Sequence, residues 1–150
     1  MRTSLLLVAV FLMSVFYSCK ERVSPGPLDS SSMEQRLIAK PWRLVDIRDL
    51  NDRSIPANQL NFETRAIYLF DIQFFSNNVT KALDRVSRQV VNGDTWYLID
   101  DNKIMDIEVS QFKGKFELKT LTTTRMILLN EVPVNGVNQR AQLVFEPVAL

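Results

Sequence analysis

The sequence predicts an all-β domain, an antiparallel up-and-down barrel of roughly eight strands behind a short N-terminal helix. Three observations lead there. Between residues 42 and 146 the apolar side chains recur largely with a period of two. Pairs that tolerate positive φ, Asn92-Gly93, Asp101-Asn102, Lys113-Gly114 and Asn135-Gly136, separate the runs at hairpin spacing. The runs are short and follow one another directly, which suits neighbours in a sheet that removes its edges by closing.

The first element is an address. Arg2 supplies a positive start, and Leu5 to Tyr17 form an apolar run of 13 residues interrupted by Ser14, the pattern of a secretion signal. A membrane-spanning helix needs about 20 apolar residues, so the run is too short to persist as a span. It ends in Phe16-Tyr17-Ser18-Cys19, which resembles a bacterial lipobox, with Phe16 where leucine is usual. Ordinary cleavage after Ser18 would place bulky Phe16 where a small side chain is wanted. The chain has one cysteine, and lipidation gives Cys19 a role that needs no disulfide partner. Residues 1–18 are therefore expected to be removed as a lipoprotein signal peptide, leaving a lipid anchor on Cys19. Lys20, rather than aspartate, follows the cysteine, which resembles the pattern for transfer to the outer membrane of a diderm envelope. Whether the periplasmic or the external face is occupied stays open.

The mature chain has 132 residues with 17 basic and 17 acidic side chains. Residues 19–31 are polar, carry Pro25 and Pro27 and lack apolar periodicity, as a flexible tether does. The twelve residues after Cys19 reach about 40 Å when extended. The domain is then residues 32–150. Ser31 and Glu34 stand at capping-box spacing, Met33, Leu37 and Ile38 form one apolar stripe, and Pro41 ends the helix.

Eight strands are expected, at residues 42–49, 66–75, 79–91, 95–100, 103–109, 115–121, 125–130 and 138–146. Met105, Ile107 and Val109 alternate with Asp106 and Glu108, and Ala141, Leu143 and Phe145 with Arg140 and Gln142, giving each strand one wet face. The 79–91 segment is ambiguous, because Leu83, Val86 and Val90 also fit a helical stripe. Trp42, Phe70, Phe74, Trp96, Phe116 and Phe145 are among the inward positions, with Trp42 at the barrel base. So much aromatic bulk tips an eight-stranded barrel toward a filled or narrow interior.

The segments 37–44, 72–78, 93–98, 116–122 and 126–129 together resemble the small lipocalin-like lipoproteins common in Bacteroidetes. The resemblance lies in Pro41-Trp42-Arg43-Leu44 opening the first strand, Gly93-Asp94-Thr95-Trp96 in the middle of the chain, and Leu121-Thr122 with Met126-Ile127-Leu128 toward its end. It covers about residues 33–146. Lys40 replaces the glycine before the first tryptophan and Asn77-Asn78 replaces a glycine turn, so the barrel base and first hairpin are expected to differ in shape. The resemblance implies a lipocalin-like barrel and brings no catalytic residues.

Composition narrows the chemistry. There is no histidine, which excludes every imidazole-dependent triad and most zinc sites. Balanced charge argues against a nucleic-acid partner. Asp106 and Glu108 occupy a polar strand face rather than opposed sides of a cleft, and Asp100-Asp101 suits a turn. No calcium loop, phosphate-binding glycine loop or nucleophile elbow occurs, so neither a metal, a cofactor nor an enzymatic activity is expected. The candidate ligand contacts are Tyr68 near one rim, Phe70 and Trp96 on the inner wall, and Arg85 and Arg88, which could point into the barrel toward a structural or ligand carboxylate. The expectation is a lipid-anchored envelope protein whose barrel binds a small lipophilic molecule. Its rival is a ligand-free module that docks an envelope protein, to which outward Ile104, Leu121 and Val144 would contribute.

Overall fold

The computed structural model describes residues 30–109 and 112–149. The expected signal segment, Cys19 and the expected tether up to residue 29 lie outside the described residues. Helix α1 (Ser30–Ile38) leads into eight strands: β1 (Trp42–Arg48), β2 (Phe70–Phe74), β3 (Val79–Asp84), β4 (Val90–Ile99), β5 (Ile104–Val109), β6 (Phe112–Leu121), β7 (Met126–Val134) and β8 (Val137–Pro147). They pair antiparallel in sequence order and β8 returns to β1, closing the barrel. Among the described residues no helix is long and apolar enough to cross a membrane.

Alternation builds the interior. Leu44, Ile72, Phe74, Met105, Ile107, Met126, Leu128 and Phe145 are all essentially inaccessible to solvent and form one continuous core. A bulge between Leu44 and Asp46 shifts the phase of β1, so Leu44 and Ile47 both point inward. Helix α1 packs on the barrel base through Met33 and Leu37, where Trp42 Nε1 donates to the Leu37 carbonyl at 2.9 Å. It begins at Ser30, so Ser31 lies inside the helix rather than at its cap.

The opposite end is crossed by residues 49–69. Ile55, Leu60 and Ile67 sink into the core, Leu60 bridges Val134, and Asn135 N–H donates to the Gln59 carbonyl at 2.7 Å. Within this segment lies helix α2 (Phe62–Ala66), capped by Asn61, whose side chain accepts from Thr64 N–H at 3.0 Å. A 3-10 turn at Ile67–Leu69 follows. The expected strand at 66–75 is thus helical until Leu69, because the Asn61 cap and burial of Thr64 and Ile67 override the alternation of Ala66, Tyr68 and Phe70.

Three turns also differ from expectation. The 79–91 segment breaks at Asp84, whose carboxylate accepts from Val86 N–H at 2.9 Å and Ser87 N–H at 2.7 Å, an Asx-type turn. Asn92-Gly93 therefore lies within β4, and Lys113-Gly114 lies within β6, which starts already at Phe112. Val144, outward by alternation, is buried opposite Asp46 beside the β1 bulge, whereas Ile104 and Leu121 are half-buried.

Candidate ligand site at the barrel mouth

The crossing segment leaves a gap beside the core. A cavity of about 190 Å³ opens between α2 and strands β6 and β7. Phe112, Phe116 and Leu143 supply its apolar floor, Ile67 and Thr64 hang from the lid, and Asn61, Asn130 and the charged Glu63, Lys113 and Glu131 line the edge. Strands β6 and β7 pair only from Glu117 with Leu129 onward, so the cavity lies beneath α2 where 112–116 and 130–134 part, with inward Asn130 and Val132 on one side. Below it the wall residues pack against one another: Phe112 stacks 4.5 Å from Phe116 and 5.6 Å from Phe145, ring centre to ring centre.

The residues expected at a ligand do not converge there. Phe70 is buried on the inner wall at the mouth end of β2, and Tyr68 sits half-buried on the 3-10 turn instead of on a strand. Burial, and then the nearby Asp46, raise the Tyr68 phenol above its ordinary pKa. Trp96 lies toward the base, edge-on to Phe74 at 5.4 Å, and its Nε1 donates to the Phe75 carbonyl at 3.0 Å. Trp42 also stands at the base, against α1. The cavity residues not anticipated from sequence, Thr64, Ile67 and Phe112, arrive through α2 and the early start of β6. The spacing of Asn61 to Thr64 is the sequence signal for that helix.

Arg85 and Arg88 point away from the lumen. They turn back from the β3–β4 loop onto the outer wall, where Asp71 is fully buried. Arg43 Nε and Nη2 donate to its two oxygens at 2.8 and 3.0 Å, and Arg88 Nη1 donates to the second oxygen. Arg85 Nε lies 3.5 Å from the first oxygen without hydrogen bonding to it, while Arg85 Nη2 donates to the Leu44 carbonyl at 2.9 Å. Burial alone would raise the Asp71 carboxyl, but hydrogen bonds and charge from Arg43 and Arg88 hold it below the usual carboxylate range. The carboxylate anticipated for buried arginines is therefore a structural one.

The acidic residues weighed for catalysis are spread over the exterior. Asp106 and Glu108 stand across from Lys115 and Lys113 on β6, and Asp100 and Asp101 form the β4–β5 turn with positive φ. Among the described residues no three or more His, Cys, Asp or Glu side chains cluster as metal ligands would.

An eight-stranded, sequentially paired antiparallel barrel with a helix at its base is a lipocalin-like architecture. No protein family and no curated protein matches the sequence. Among solved structures the chain is similar to a lipocalin-like protein from Bacteroides uniformis, with 11% identity, coverage of 74% of this chain and 98% of that one, and a TM-score of 0.48.

Proposed function

We propose that this chain is a lipid-anchored, non-catalytic envelope protein whose barrel binds a small lipophilic molecule at its mouth. The observation that carries the reading is the cavity under α2, an apolar floor edged by polar and charged groups. Its volume sets the guest. At about 190 Å³ it is smaller than the roughly 300–1,000 Å³ of drug-sized sites, so a single ring system or short chain fits and a long acyl chain does not. Anchoring rests on the apolar run ending at Cys19 and the polar stretch after it.

A ligand-free docking module is the second reading. It is favoured by exposed apolar side chains on elements at the mouth end, namely Phe62, Leu69, Val86, Val90 and Val91. Native mass spectrometry of the full chain, gently extracted from its own envelope and with the acyl mass on Cys19 assigned separately, separates the two. The expected result is a small extra mass that survives desalting and disappears in Thr64→Phe, which fills the cavity. A bare chain overturns the ligand reading, and a bare chain carrying a second polypeptide supports docking.

A further inference from the structure

The arginine cluster on the outer wall carries more positive charge than its structural role requires. Strands β1 and β2 pair through only Trp42 with Ile72 and Arg43 with Asp71. The two-pronged bond from Arg43 already neutralises the charge of Asp71, and Arg85 also ties the Leu44 carbonyl across the seam. Arg85 and Arg88 add two further charges. Glu146, the cross-strand neighbour of Arg43 on β8, is engaged by Arg125 at 3.8 Å.

Three features of the cluster are costly if it is structure alone. Arg85 Nε is buried with no hydrogen-bond acceptor, which costs about 1–3 kcal/mol. Burial, and then the like charge of Arg43, lower the pKa of Arg85. Arg88 is held at φ +60°, a left-handed backbone that arginine rarely adopts and that turns its side chain back onto Asp71. A guanidinium has five N–H donors; the hydrogen bonds described use two on Arg43 and one each on Arg85 and Arg88. The Arg43 and Arg88 side chains are each 37% exposed, so their remaining donors reach solvent.

We propose that Arg43, Arg85 and Arg88 form an anion site on the outer wall of the barrel that takes a phosphate group. A phosphate monoester carries about 1.5 to 2 negative charges at neutral pH, which matches the two charges left after Asp71 is counted, and its oxygens accept the forked donors of guanidinium groups. A carboxylate would leave one charge unmatched. Apolar side chains rim the cluster beside the loop's own Asp84, whose carboxylate is taken up by the Val86 and Ser87 N–H groups: the Arg85 N–H donates to the Leu69 carbonyl at 3.4 Å, Val86 follows Arg85, and Val90 pairs with Leu83 beside Asp71. Leu69, Val86 and Val90 are 65%, 92% and 55% exposed, a rim suited to the apolar part of a phosphate-bearing amphiphile.

The test follows the arginine Nε–Hε signals by nitrogen-15 NMR. The full chain, in neutral detergent micelles at constant ionic strength, is titrated with inorganic phosphate and separately with dioctanoyl phosphatidic acid. Saturable shifts are expected at Arg43 and Arg88, with none at Arg53, which is paired with Asp49 elsewhere on the surface. Arg88→Gln is expected to weaken binding by about fivefold or more, the loss of one charge-assisted contact, while Arg53→Gln leaves it unchanged. If Arg88→Gln fails to fold, Arg88→Lys keeps the charge but removes the fork and is expected to weaken binding as well. Phosphatidic acid binding about tenfold tighter than phosphate, roughly 1.4 kcal/mol, identifies an amphiphile's headgroup as the source; equal affinity identifies free phosphate. Absence of saturable shifts with both probes, or binding unchanged in folded variants at Arg88, overturns the site. The mass retained at the barrel mouth does not depend on these arginines, so the two proposals fail independently.

Discussion

Asp71 shows how one side chain can organise a surface. Its position by alternation is outward, yet it is wholly buried because three arginines from β1 and the β3–β4 loop close over it. Its folded pKa lies below the value of about 3.9 for an unfolded chain. The stability it contributes is therefore fully present above that value and is lost as pH falls through it toward the folded pKa. Asp71→Asn is expected to destabilise by about 2 kcal/mol at pH 7, less than the 3–5 kcal/mol for a fully buried pair because the arginines are partly exposed. The variant is also expected to lose less stability than the wild type between pH 5 and pH 3, measured by denaturant unfolding. Equal acid slopes for the two proteins would count against this assignment. Composition alone shows the arginines and the aspartate, but their meeting is illegible because it joins positions 43, 71, 85 and 88 across two strands and a loop.

The strands were the legible elements. All eight arise near their expected places because alternation fixes the inward face, even where Asp71 on β2 and Gln142 and Val144 on β8 are buried on the other face too, and a one-residue slip would turn every side chain to the wrong side. Asn135-Gly136 does form the β7–β8 turn, with φ of 51° and 79°. Asn92-Gly93 misleads, since the same dipeptide serves packing instead of turning. Gly93 faces Lys81, and a Cβ there would meet the Thr80 carbonyl at 2.7 Å. Gly93→Ala is accordingly expected to destabilise by about 1–3 kcal/mol through forced backbone displacement between β3 and β4. A melting curve unchanged by that substitution would show that the two strands can separate there at no cost. The mouth cavity was less legible, because its lid depends on a five-residue helix whose apolar spacing also fits a strand.

Across the whole molecule the barrel closes unevenly. Strands β7 and β8 pair over nine residues, whereas β1 and β2 share two pairs. The weak joint is supplemented by the Arg85 side chain on the Leu44 carbonyl, and farther along β1 the backbone N–H of Ile55 in the crossing segment donates to the Ile47 carbonyl at 2.8 Å. Hydrogen exchange is expected to be slowest in β7 and β8 and faster in β2, with Arg85→Ala accelerating β2 further; uniform protection around the wall would contradict this picture. The same asymmetry governs how the protein bears mechanical load. A pull on the chain ahead of Ser30 enters through α1, which is held by Met33, Leu37 and the Trp42 N–H, while β1 beyond it is bound to β8 at six positions. Under tension the helix peels first and the barrel keeps its shape. Nine helical residues drawn from about 1.5 Å to about 3.3 Å per residue lengthen the chain by about 16 Å, so under the anchoring proposed above α1 would act as a shock absorber ahead of the barrel.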